Sequence, residues 1–330
     1  MSQTVMETTA EHIPNHVVGP LVQPVQLPMR TTRTMDAMFV CLILVASLGC
    51  GLSSASGPRP GVPPSPSGTL PIFKHVVLVV EENHSYSEVV GSSAMPYLNS
   101  LASQYGSATQ YFANTHPSIG NYFMLTTGQL VTNDDTFTGT VSADNIVRDL
   151  IAASKTWKSY AESIPSQGYT GGDSYPYAKR HNPLSYFTDV VNSSSQVQNL
   201  VSLSQFNSDV ANNQLPTFSF LVPNLLDDAH DGPLQLADAW LQQNIAPLIS
   251  SSAFQKDGLL IIVFDEAETS DSANGGGHVV ALVISPKAKQ GYQSKTLYQH
   301  QSTLRLILDG LGVSTLPAAA NSAPEMGEFF

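Results

Sequence analysis

The 330-residue chain predicts an α/β fold, a doubly wound and mostly parallel sheet flanked by helices. Three observations carry that expectation. Short, largely apolar runs recur at residues 75–80, 259–264 and 279–284, the mark of strands buried on both faces, and 217–222, interrupted by Ser219, reads as a further strand. Segments with helical patterning lie between them. Acidic and polar residues follow directly on two of these runs, which is where open α/β sheets place their ligands.

With 42% hydrophobic residues the chain can bury one large core, so a single catalytic domain is expected. The net charge of -12, without any basic stretch, argues against nucleic acid and other anionic polymers as partners. Residues 1–34 are polar and without a period. The apolar run at 37–48, with Arg30 and Arg33 upstream and Asp36 beside it, is too short for a comfortable membrane span and suits a signal-peptide core. Met29 or Met35 then becomes a candidate start. Ser47-Leu48-Gly49-Cys50 is similar to a bacterial lipoprotein cleavage box, with Ser47 where an aliphatic residue is usual; ordinary signal cleavage is the alternative. Either way the protein is expected outside the cytoplasm, touching a membrane only through a lipid anchor at Cys50. Both cysteines, Cys41 and Cys50, fall in this segment, so a metal in the mature domain would be held by oxygen and imidazole. The expected organisation is a leader at 1–50, a Gly/Ser/Pro-rich connecting segment at 51–70 and a catalytic domain at 71–330.

Within that domain the first strand, 75–80, runs into Glu81-Glu82-Asn83-His84-Ser85. Two adjacent carboxylates crowd each other unless a cation lies between them. Next comes Asn114 to Gly128, where Pro117 keeps His116 extended and the apolar run ending at Gly128 reads as a short helix. Ser118 sits at its start. There its hydroxyl either caps the helix or faces an oxyanion near the positive end of the helix dipole. A helix is expected at 144–154 with Ser142 as cap candidate. Others are expected at 234–249 and at 302–311, the last ended by Gly312.

The strand at 217–222 leads to Asp228 and His230, which are either ligands or part of a capped turn. The strand at 259–264 ends in Asp265-Glu266. A second strand delivering acidic residues makes a hard-cation site the natural reading. Gly275, Gly276 and Gly277 let a backbone approach closely and set His278 at the sheet edge. Gly172-Asp173-Ser174-Tyr175 opens like a serine-esterase motif, but it lacks a preceding apolar strand and a late Asp-x-x-His.

One series of motifs then carries a resemblance. It runs through Glu82-Asn83, His116-Pro117-Ser118 with Asn121-Tyr122, the segment 157–162, and His181-Asn182-Pro183. It continues through Pro223-Asn224 with Asp228 and His230, Phe264-Asp265-Glu266, Gly277-His278 and His300. In this order it resembles the phosphoesterase family of bacterial and fungal acid phosphatases and non-haemolytic phospholipases C, over nearly all of residues 72–330. The family is similar in fold to alkaline phosphatase.

The resemblance implies that Ser118 is a nucleophile forming a phosphoseryl intermediate and that Asn121 binds a phosphoryl oxygen. It implies one divalent metal held by Glu82, Asn83, Ser118, Asp265 and Glu266. His181, His230 and His278, with His300 as a further candidate, would then ring the phosphate as donors or leaving-group acids, their near-neutral pKa favouring an acidic optimum. A second metal using Asp228, His230 and His278 is left open. Gly120 stands where relatives commonly carry Pro, which should loosen the start of the helix. The implied substrate is a small phosphate monoester, with no protein partner. A choline-type diesterase is the runner-up, and Tyr175, Tyr177, Tyr186 and Phe187 are the candidates for its apolar pocket. A non-catalytic surface module would turn the acidic pairs into calcium-stabilised turns, but it has no use for Ser118 or Asn121.

Overall fold

Residues 76–80, Val-Val-Leu-Val-Val, lie in the sheet interior because five consecutive aliphatic side chains offer no polar face to water. The computed structural model describes residues 68–330; the expectations for the leader, Cys41, Cys50 and residues 51–67 lie outside the described residues. The described strands are β1 His75–Glu81, β2 Gly106–Ala108, β3 Tyr111–Phe112, β4 Trp157–Ala161 and β5 Leu200–Ser202. They continue with β6 Phe218–Val222, β7 Gly258–Phe264, β8 Ala281–Ile284, β9 Gln293–Ser294 and β10 Tyr298–Gln299. Eight of them form one sheet in the order β5-β4-β6-β1-β7-β8-β2-β9, and β10 pairs with β3 apart from it. The five strands from β5 to β7 run parallel, while β8 is antiparallel to both β7 and β2. The fold is therefore the mostly parallel α/β sheet that the apolar runs predict.

The described α-helices are α1 Tyr86–Val89, α2 Pro96–Gln104, α3 Ser118–Thr127, α4 Ile146–Ala152, α5 Thr188–Val191, α6 Leu203–Ala211, α7 Leu234–Ser250, α8 Ser252–Asp257 and α9 His300–Gly310. Helix α3 packs on α9, and α2 packs on α7. The cap of α4 is Asn145, whose side chain accepts from Arg148 N at 3.0 Å; Ser142 lies too far upstream and instead offers its carbonyl to the Arg148 guanidinium. Helix α9 starts at His300, two residues earlier than its apolar pattern suggests.

Register fixes the site. Glu81 on β1 pairs with Phe264 on β7, and Asp265 N donates to Glu81 O at 2.9 Å, so Glu82 and Asp265 emerge side by side at the carboxyl edge. Glu82 N donates to Asp228 O at 2.8 Å, which draws the segment after β6 to the same edge. Among the described residues no helix is long and apolar enough to cross a membrane.

Candidate active site

Helix α3 begins at Ser118 itself, behind an extended Pro117, and ends on Gly128 in the left-handed conformation at φ 69°. Ser118 is almost fully buried. Its Oγ lies 3.2 Å from Glu82 Oε2, 3.2 Å from Glu266 Oε1 and 3.4 Å from Asn83 Oδ1. One hydroxyl proton serves only one of these three oxygens at a time. Asn83, at φ 54°, turns its backbone N–H to Asp265 Oδ1 at 3.2 Å, and Asp265 Oδ2 is left buried without a partner.

The charges in this cradle are not balanced by the protein. Burial, followed by the repulsion of Asp265 and Asp228, raises the Glu82 carboxyl well above its usual range. Burial and Glu266 do the same to Asp265, and burial lifts Glu266 to about 8. Crowded carboxylates, an orphaned buried oxygen and an all-oxygen donor set together fit a hard divalent cation held by Glu82, Asn83, Ser118, Asp265 and Glu266.

A stability prediction follows from the sign of these shifts. A carboxyl whose folded pKa is raised stabilises the fold below its unfolded value near 4.5, and that contribution is lost as pH rises through the folded value, about 8 for Glu266. Chelated protein is therefore expected to lose thermal stability steadily from about pH 5 to about pH 8.5, and a saturating divalent ion to restore most of it. Thermal melts across that range, with and without chelator, check this; a flat profile in chelator contradicts it.

Around the cradle, His116 and His300 act from behind. His116 Nδ1 lies 2.8 Å from Glu266 Oε2, and its Nε2 lies 2.9 Å from Asp271 O, so the ring fixes the carboxylate that faces Ser118. His300 is fully buried, with Nε2 on Asp265 O at 2.6 Å and Nδ1 near Tyr111 Oη at 3.1 Å. Burial holds its pKa down at about 4. It therefore positions the Asp265 backbone and does not join a ring of phosphate donors.

His181 stands on the other side of Glu82. Its Nε2 lies 3.5 Å from Glu82 Oε1 and has no hydrogen-bond partner, while Nδ1 meets Asp228 Oδ2 at 3.2 Å. The Tyr122 ring stacks on it at 5.1 Å, and the Tyr122 hydroxyl donates to Glu82 Oε1. Burial, Arg180 and His230 hold the His181 pKa well below its usual value, so the expectation of near-neutral titration fails for this residue. Glu82, His181 and Asp228 offer ligand atoms within 4.8 Å of one another, while the other Asp228 oxygen accepts from the His230 backbone N–H at 2.8 Å. His230 lies half-buried, with Nδ1 on Asp231 Oδ1 at 2.7 Å and Nε2 3.4 Å from Arg180. His278 is drawn away: its ring stacks between Tyr86 and Phe112, and Nε2 meets Thr109 O at 3.1 Å.

Asn121 is engaged by the loop before Ser118. It is fully buried, its Oδ1 accepts from Asn114 N at 3.0 Å and Thr115 N at 3.2 Å, and its Nδ2 donates to Thr115 O at 2.8 Å. Its amide braces the loop that presents Ser118. The first free N–H of α3, on Ile119, is taken by Asp135 Oδ1 at 3.1 Å. Asp135 and Arg180 escape the motif reading because neither stands at a strand end. A Cβ on Gly120 would lie 2.2 Å from Asn133 Oδ1 and 2.7 Å from Thr115 Cγ2, so a larger residue there requires those two side chains to move. The glycine loop behaves as expected, since a Cβ on Gly276 would meet Thr115 O at 2.3 Å.

This arrangement of sheet, strand-end acids and buried serine defines a class. The fold is similar to that of a protein of the alkaline phosphatase superfamily from Vibrio parahaemolyticus, with a TM-score of 0.53 and 14% identity over 78% of this chain and 72% of that one. It is also similar to the phosphonate monoester hydrolase of Silicibacter pomeroyi, with a TM-score of 0.52 and 12% identity over 77% and 76%. The chain belongs to the phosphoesterase family, whose model matches residues 92–314. It is 33% identical to a probable acid phosphatase of Kluyveromyces lactis over 70% of this chain, and 30% identical to an acid phosphatase of Aspergillus fumigatus over 74%. The chain spans 56% of the length of each of these fungal relatives. It is 31% identical to the phosphatidylinositol-3-phosphatase of Mycobacterium tuberculosis over 92% of this chain and 96% of that protein.

Proposed function

We propose that the protein hydrolyses phosphate monoesters, with Ser118 as nucleophile. The observation that carries this is the Ser118 hydroxyl, buried at a strand edge within 3.4 Å of three oxygens from two separate segments. Attack of Oγ on phosphorus forms a phosphoserine as the bond to the leaving alcohol breaks; water then splits that ester and restores the hydroxyl. A divalent ion in the Glu82, Asn83, Ser118, Asp265 and Glu266 set would lower the pKa of the hydroxyl and shield the phosphate charge. The Glu82, His181 and Asp228 group offers donors for a second ion. His230, half-buried with Nδ1 on Asp231, is our candidate for the leaving-group acid, a role that requires its Nε2 to part from Arg180 and carry the proton.

The names of the relatives, acid phosphatase and phosphatidylinositol-3-phosphatase, support monoester cleavage and an optimum below neutral pH. The diesterase alternative has less support, because Tyr177, Tyr186 and Phe187 are packed in the core and Tyr175 is exposed. The test compares kcat/KM for p-nitrophenyl phosphate, bis-p-nitrophenyl phosphate and p-nitrophenylphosphorylcholine from acidic to mildly alkaline pH. The monoester is expected to lead, and a preference for either diester, or an alkaline maximum, overturns the reading. On the leader sequence we further place the protein outside the cytoplasm. Mass spectrometry of the mature N-terminus checks the leader, with cleavage before or near Cys50 expected; an exported protein retaining residues 1–50 refutes the leader reading, and recovery of the protein only from the cytoplasm refutes the placement.

A further inference from the structure

Beside the Ser118 cradle lies a cavity of about 500 Å³ between residues 135–138 and residues 170–186. Asp135 joins the two sites: it lines the cavity and holds the Ile119 amide next to the nucleophile. Arg180 lies across from it. One end of the guanidinium meets Asp173 Oδ2 at 3.0 Å, and the other lies 3.4 Å from His230 Nε2. Of its five N–H donors, two meet a partner among the described residues. Thr136, Thr138 and Thr170 add hydroxyls or backbone groups to the wall.

The aromatic wall of the cavity is not open to a cationic ligand. Lys179 Nζ sits 4.4 Å from the centre of the Tyr186 ring, held there by Thr170 O at 2.7 Å. Phe137 stacks on Tyr186 at 5.8 Å and meets Phe123 edge-on. The ring face that a quaternary ammonium needs is thus already covered by the protein's own ammonium.

We propose that this cavity receives the leaving alcohol, and that Arg180 makes it selective for hydroxyl-rich alcohols carrying a second phosphate, against choline-type cations. This deepens the phosphomonoesterase reading and rests on it. Arg180 is a specificity residue whose planar fork matches a phosphate, and Asp173, about half exposed, is the carboxylate that such a phosphate displaces.

The experiment uses the full chain with p-nitrophenyl phosphate, glucose 6-phosphate, glucose 1,6-bisphosphate and p-nitrophenylphosphorylcholine as probes. Wild type is expected to favour the bisphosphate over glucose 6-phosphate by about tenfold in kcat/KM, through KM, since one added charge-assisted contact carries that much. The advantage should shrink as salt rises. Arg180→Gln should remove it, with Arg180→Lys restoring part, and Asp173→Asn should enlarge it by freeing the guanidinium. Because the readout is a ratio within each variant, an overall loss of activity does not mask it. Equal turnover of the two sugar phosphates by wild type, or an advantage that survives Arg180→Gln, overturns the assignment. Failure to hydrolyse p-nitrophenyl phosphate overturns the underlying monoesterase reading instead.

Discussion

If Ser118 is the nucleophile we propose, Ser118→Ala is expected to lower kcat/KM for p-nitrophenyl phosphate by at least about a thousandfold, because the attacking atom is then gone. The fold should persist. The hydroxyl makes no capping bond to α3, whose N-cap is Pro117, and its three oxygen neighbours already crowd one another. Steady-state kinetics and a thermal melt on the same preparation check both halves. A phosphoserine trapped by acid quench in wild type and missing in the variant identifies the residue directly. Residual turnover of more than a few hundredths of wild type would sink the nucleophile assignment.

Glu82→Gln and Asp265→Asn should each reduce activity by about a hundredfold to ten-thousandfold, the range expected when several kcal/mol of charge stabilisation are withdrawn. A neutral amide cannot replace a carboxylate at a hard cation. Glu82→Gln should be the more severe of the two, since Glu82 also faces His181 and accepts from Tyr122. Elemental analysis should show fewer bound divalent ions in both variants, and chelation of wild type should reproduce the loss reversibly. Full activity in exhaustively chelated, metal-free protein counts decisively against the metal.

The centre of the sheet was legible because β1, β7 and β8 hold continuous apolar runs, whereas β4 is interrupted by Lys158 and Ser159 and β2, β5 and β9 are too short to show a pattern. The acidic pairs were legible for the same reason: they stand directly at strand ends, and the β1 and β7 register then aligns them. Less was readable where a role depends on which way a ring or amide turns. His278 and His300 stand in a series of motifs, yet packing between Tyr86 and Phe112 in one case and burial beneath Asp265 in the other decide their direction. Asn121 shows the same limit, for nothing in its spacing distinguishes a phosphate donor from a loop brace. Helices α2 and α6 join segments whose short patterns carry little signal, and Asn145 outcompetes Ser142 through backbone geometry alone.

The brace at Asn121 also bears on how the molecule opens. The amides of Asn114 and Thr115 share one buried acceptor on α3, and the glycine loop at 275–277 lies against the same residues. Neither amide can meet solvent by fraying of the loop alone, since the helix that supplies the acceptor must separate from it first. In hydrogen–deuterium exchange these two loop protons should therefore persist as long as those of the central strands. The segment presenting Ser118 then behaves kinetically as core, although its backbone is neither helix nor strand.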